Sequence, residues 1–183
     1  MLTVGGLLAS PAPVAAQGFG LGARFAWINP DTEADVDTAR YFGGQLRLIA
    51  ERIGFELSID RHSESFEALN QKVTETPIQA SGLLRMGSGR AAFFLLGGPG
   101  WYRRSVEVLD GPADLDVSTT EFGWHAGLGL EILASRHFGI HGDYRYTFLD
   151  FGDDDDDDDG GFIGGLLPGH RGSMWTLGAT VYF

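Results

Sequence analysis

The feature that most constrains this chain is a period-two alternation of bulky apolar residues with small or polar ones. It recurs eight times and is separated by connections of alternating length, the pattern of half-buried β-strands joined in series. In residues 18–29, Phe19, Leu21, Ala23, Phe25 and Trp27 alternate with Gly20, Gly22, Arg24 and Ala26. Residues 41–50 set Phe42, Leu46 and Leu48 against Gly43, Gln45 and Arg47, and residues 54–61 set Phe55, Leu57 and Ile59 against Glu56, Ser58 and Asp60. Residues 78–86 place Gln79, Ser81 and Arg85 on a polar side. Residues 91–105 are apolar on both faces and broken by Gly97, Gly98, Pro99 and Gly100, so their register stays open. Residues 122–133, 138–149 and 174–183 alternate cleanly, with Gly127, Glu131, His141, Asp143, Arg145, Thr176 and Thr180 on the small or polar side.

The connections 51–53, 87–90 and 134–137 are short, whereas 30–40, 62–77, 106–121 and 150–173 are long and acidic. Tight turns at one rim and long loops at the other are expected of an up-and-down barrel, and outer-membrane barrels keep the short turns on the periplasmic side. An even strand count then puts both termini at the short-turn rim. The predicted fold is all-β: an eight-stranded antiparallel up-and-down transmembrane β-barrel in one domain, 17–183.

Which face meets lipid follows from size. A soluble barrel points its apolar face inward, but eight strands enclose a space only just wide enough to be filled by side chains. The Phe, Leu, Ile and Trp face is too bulky for that space, and the Gly-rich, charged face fits it. The apolar face is therefore assigned to lipid, with Phe19, Trp27, Phe42, Trp101, Trp175 and Phe183 near strand ends as interfacial girdles. The interior is expected to hold a polar network of Arg24, Arg47, Glu56, Asp60, Arg85, Arg103, Glu131, His141, Asp143 and Arg145, with His125 beside it. Charges of both signs there can pair across the lumen and fill it.

Composition narrows the function classes. The net charge of −12 opposes binding to phosphate backbones, so nucleic acid is not an expected partner. Twelve of the thirteen bases are Arg, the residue best shaped for bidentate pairing with carboxylates. Without Cys there is no disulfide framework and no thiolate metal site. The opening MLTVGGLLASPAPVAAQ is apolar and ends in a Val14-Ala15-Ala16 cleavage pattern, so 1–16 is expected to be a signal peptide, although no basic residue precedes its apolar run.

Residues 18–183 resemble the outer-membrane β-barrel family typified by the OmpA transmembrane domain and OmpX. The resemblance rests on the strand–turn rhythm, on the stretch FFLLGGPGWYR at 93–103, and on the ending Ala179-Thr180-Val181-Tyr182-Phe183. It implies an outer-membrane location with extracellular loops and periplasmic termini. It also implies that Phe183, closing a strand with an aromatic residue, is read by the barrel-assembly machinery. The family hosts many roles, so the likeness implies architecture more firmly than activity.

Two loop features stand out. Asp153, Asp154, Asp155, Asp156, Asp157, Asp158 and Asp159 form an unbroken acidic run, either a solvated tip or a loose site for Ca²⁺, whose chemistry favours carboxylate oxygens. Beside it, Phe162, Ile163, Leu166 and Leu167 are an apolar segment suited to contact with another molecule or to covering the barrel mouth. His62 and Ser63 are the nearest approach to a base and a nucleophile, but neighbours on a strand point to opposite faces. No enzymatic activity and no obligatory cofactor are expected. The chain reads as a structural or interaction protein of the outer membrane with a plugged polar interior. The alternatives are a self-assembling surface protein whose loops join copies through Ca²⁺, a narrow channel, and a soluble lipocalin-like barrel.

Overall fold

A computed structural model of the chain describes residues 18–30, 38–66, 70–87, 89–108, 117–149 and 172–183. The expected signal peptide 1–16, the acidic run 153–159 and the apolar segment 162–167 lie outside these residues. Eight strands follow one another: β1 Gly18–Pro30, β2 Ala39–Ala50, β3 Ile53–Phe66, β4 Gln71–Met86, β5 Ala91–Val108, β6 Val117–Leu133, β7 Phe138–Leu149 and β8 Gly172–Tyr182. Each pairs antiparallel with its neighbours in sequence, and β8 closes on β1 to complete a barrel. Closure leaves no edge, which a wall standing in hydrocarbon requires.

Pairing also fixes the stagger. Followed once round the barrel, the row through Ala91, Ile132, Ile140, Ala179, Ala23, Gly44, Ile59 and Ile78 returns to β5 at Trp101, ten residues further along. A shear of this size accompanies the strand tilt of about 35–45° typical of barrels. The shortest strand, β8, has 11 residues, enough for a tilted strand to cross a bilayer core.

The alternation separates the two faces as the size argument requires. Phe25, Phe42, Leu128 and Trp175 are more than half exposed on the outer wall, while Arg24, Glu56 and Arg145 are fully buried inside. The outer aromatic residues cluster in ring pairs, including Phe19–Phe183 near the short-turn end and Phe25–Phe42, Trp101–Phe122 and Phe122–Trp124 nearer the other.

Three long connections are shorter than the sequence suggests. The ladder from His62↔Glu75 to Phe66↔Gln71 turns most of 62–77 into strand, and Asn70, just before β4, stands at φ 51°. Likewise β5 reaches Val108 and β6 begins at Val117, so 106–121 contracts to 109–116, and 30–40 contracts to 31–38. These extensions (Ser63, Ser65, Thr74, Thr119, Thr120) are polar on both faces. A strand that has left the membrane has no apolar side, so the alternation that would reveal it is missing, while β-branched Thr and Val still favour the pleat.

Two prolines sit inside the sheet. Pro77 coincides with a lapse in the β3–β4 ladder between Ile59↔Ile78 and His62↔Glu75, and Pro99 with a lapse in the β4–β5 ladder between Gln79↔Gly100 and Gly82↔Gly97. Each lacks the N–H that the ladder needs at that point.

Candidate functional site

The barrel interior is layered. Toward the short-turn end Ile49, Leu83, Phe94, Leu96, Leu133 and Tyr182 pack together. Toward the other end Ala26, Ile28, Tyr41 and Met174 do the same. The sequence reading expected a lumen of glycine and charge throughout, and these inward apolar layers correct it. Ile49, Leu133 and Tyr182 come from strand ends, and Phe94 and Leu96 from a stretch of β5 that is apolar on both faces and so shows no parity.

Alongside these clusters lies an ion-paired network centred on Glu56 of β3. Its Oε1 accepts from Arg145 Nη2 at 2.7 Å and from Arg24 Nη1 at 3.3 Å, and its Oε2 accepts from Arg47 Nε at 2.7 Å. Arg24 also grips Asp60 with two nitrogens, Nε standing 2.8 Å from Oδ1. Arg145 Nε donates to Asp143 Oδ1 at 2.6 Å and its Nη1 to Gln79 Oε1 at 3.0 Å. Nearer the short turns, Glu131 accepts from Arg47 Nη1 at 3.3 Å, from Arg85 Nη2 at 2.8 Å and from the Tyr182 hydroxyl. The Arg47 guanidinium also lies 5.2 Å over the Phe94 ring. Four arginines and four carboxylates thus form one neutral set, all at most 8% exposed. A buried charge is tolerable only when paired and hydrogen-bonded in this way.

The strands make this possible through small neighbours. On β2, Gly43 stands between Arg24 of β1 and Asp60 of β3 in the pairing. A Cβ there would come 2.7 Å from the Asp60 Cα and collide with its carboxylate, so the gap is what lets Arg24 reach across β2. On β6, a Cβ at Gly129 would lie 2.7 Å from both the Asp143 Cβ and the Gly142 carbonyl oxygen.

A second set of polar contacts links the remaining inward positions. Gln45 donates to Thr180 at 2.9 Å and its Oε1 faces His141 Nε2 at 3.1 Å, Ser81 Oγ lies 2.8 Å from His125 Nε2, and Gln79 donates to the Tyr102 hydroxyl at 3.1 Å. At the long-connection end the Tyr41 hydroxyl donates to Glu75. Thr147 and Tyr182 stand on the inward side of the alternation read from the sequence, whereas Tyr41, Glu75 and Tyr102 were not placed there. The signal of those three is inward parity, which is readable only once the register is known.

Of the ten residues expected in the interior network, eight form the ion-paired set, His141 is buried beside it against Gln45, and Arg103 is not in the interior. Tyr102 is the inward residue of that pair of neighbours, and Arg103 stands exposed on the outer wall. The glycine- and proline-interrupted stretch of β5 concealed which parity held. His62 and Ser63 part as strand neighbours do: His62 Nδ1 lies 2.8 Å from the Arg40 carbonyl oxygen, and Ser63 Oγ lies 3.2 Å from Thr74 Oγ1. Among the described residues no group of three or more His, Asp or Glu is placed to hold a metal ion.

The family model for the outer membrane protein β-barrel domain matches residues 1–183. The chain belongs to that family. Solved structures agree on the fold. The Neisserial surface protein A superposes with a TM-score of 0.62 at 16% identity, covering 92% of this chain and 99% of that one. The N-terminal β-barrel domain of Pseudomonas aeruginosa OprF gives 0.58 at 10% identity, covering 91% and 98%. OprG from the same organism gives 0.56 at 15% identity, covering 92% and 97%. At these identities the likeness speaks for the fold alone. No curated protein matches the sequence. The chain is thus an outer-membrane β-barrel, as the period-two pattern and the aromatic C-terminal strand imply.

Proposed function

We propose that this outer-membrane barrel is a non-conducting scaffold that works through what its rims and long connections touch, with a side-chain plug where a porin has a channel. One observation carries the reading: the neutral Arg–carboxylate set is buried in the lumen, every member at most 8% exposed, with apolar clusters toward either end. A water column would have to replace charge-assisted hydrogen bonds that are stronger in a low-dielectric interior than in water. In this reading the short turns and both termini face the periplasm, the long connections face outward, and Phe183 is presented to the assembly machinery. The barrel performs no reaction of its own; the diverging His62 and Ser63 support that view.

Recording across a planar bilayer tests the plug. The wild-type barrel is expected to stay electrically silent, while Glu56→Ala with Arg145→Ala, which removes the centre of the network, is expected to admit ions. A steady single-channel current through the wild type overturns the proposal.

A second reading, self-association through cations, is favoured by the acidic run Asp153–Asp159. Replacing those seven residues with Ser and Gly should abolish a calorimetric Ca²⁺ response and the loosening of assemblies by chelator. Heats indistinguishable from wild type would reduce the run to a solvated spacer.

A further inference from the structure

The network accounts for Arg24, Arg47, Arg85 and Arg145, and Lys72 stands 4.0 Å from Glu107. Three other bases lie on the outer wall near the long-connection rim, and they share one side of the barrel. Arg40 of β2, Arg61 of β3 and Arg103 of β5 are exposed and outward by parity, next to inward Tyr41, Asp60 and Tyr102. Among the described residues none of the three enters an ion pair with a carboxylate. In the same terms, β1, β6, β7 and β8 present no outward Lys or Arg at all.

The pairing draws the three together. Thr76 is opposite Arg103 on one side, and on the other it falls in register with Arg61, between Ile59↔Ile78 and His62↔Glu75. Arg61 is opposite Phe42, and Arg40 is the diagonal neighbour of Arg61 on the same face. Arg61 and Arg103 are thus two strand spacings apart, about 10 Å, and two extended arginine side chains can meet over the Thr76 hydroxyl. Directly toward the membrane from them the wall becomes apolar: Phe42, Ile59, Ile78, Trp101 and Phe122.

Arginine at the foot of a polar extension and the head of an aromatic band lies where lipid headgroups meet acyl chains. Its planar fork matches phosphate oxygens. In a chain of net charge −12, three outward bases that enter no ion pair among the described residues suit an anion supplied from outside. We propose that the outward faces of β2 to β5 dock a phosphorylated lipid. Arg61 and Arg103 hold its phosphate across Thr76, Arg40 adds a third positive charge, and its acyl chains lie on the wall below.

The full chain folded in phosphatidylcholine nanodiscs doped with diphosphoryl lipid A, or with its dephosphorylated form, tests this. Lipid retained after transfer to detergent is counted by native mass spectrometry, and folding is checked by unheated gel mobility. The wild type is expected to retain the diphosphoryl form selectively. R61Q/R103Q should reduce retention about tenfold or more, the equivalent of losing one charge-assisted hydrogen bond. R52Q/R90Q, which removes the same charge from exposed positions at the opposite rim, should leave retention unchanged. Undiminished retention by folded R61Q/R103Q, or an equal loss in R52Q/R90Q, overturns the proposal. So does release of the bound lipid by inorganic phosphate as complete as that by added lipid A, which would make the site one for soluble anions.

Discussion

Replacing Glu56 by Gln keeps the shape of the side chain and removes its charge, and its consequences can be worked through partner by partner. Arg24 keeps Asp60, with Nε 2.8 Å from Oδ1. Arg145 keeps Asp143 at 2.6 Å and Gln79 at 3.0 Å. Arg47 is left with the longer contact to Glu131 at 3.3 Å and with the face of the Phe94 ring. The ion-paired set passes from neutral to one excess positive charge among residues at most 8% exposed. Removing one partner of a buried pair costs about 3–5 kcal/mol, and a carboxylate shared by three guanidiniums belongs at the upper end of that range. Asp60→Asn deprives only Arg24 and should cost less. In the double variant E56Q/R47M neutrality returns, and Met fills part of the space of the lost side chain. It should recover a measurable part of the loss, because the penalty lies in the uncompensated charge more than in the missing contact. Equilibrium urea unfolding in lipid vesicles, followed by tryptophan fluorescence, measures all three. A Glu56→Gln barrel within about 1 kcal/mol of wild type, a small change on the scale of ordinary substitutions, would refute the idea that Glu56 organises the interior.

Two further outcomes test the wall and the glycine gaps. Leu128, 59% exposed on the outer face, should tolerate Ala but lose roughly 2–4 kcal/mol as Arg, the cost of a charge near mid-bilayer on the lipid side; the same unfolding assay reads it. Gly129→Val should push Asp143 and Phe94 out of place and destabilise by about 1–3 kcal/mol or more through overpacking, seen as loss of the fast-migrating folded band on unheated gels.

Much of this architecture is legible in the sequence because the barrel repeats one rule. On β6, β7 and β8 every second residue is small or polar, and parity alone assigns Glu131, His141, Asp143 and Arg145 to the lumen. The rule fails where a strand has no contrast. Ala92, Phe94 and Leu96 face inward into an apolar layer while Phe93 and Leu95 face lipid, so β5 is apolar on both sides and Arg103 was given the wrong face. It fails again above the membrane, where β3 and β4 are polar on both sides and continue as strand through residues expected to be loop. The pairing of charges is a different problem. Arg24 meets Asp60 across 36 residues and Arg47 meets Glu131 across 84. Which charges meet depends on the stagger and on the gap at Gly43, neither of which any single strand records.

The central claim is that the apolar face meets lipid and the charged face meets itself. The chain has no cysteine, so single cysteines can be placed along β6 from Phe122 to Leu133 and labelled with nitroxide without background. Collision with oxygen, which concentrates in the bilayer, should peak at positions 122, 124, 126, 128, 130 and 132 and fall at 123, 125, 127, 129, 131 and 133. A scan with the opposite phase, or with no period of two, would contradict the account.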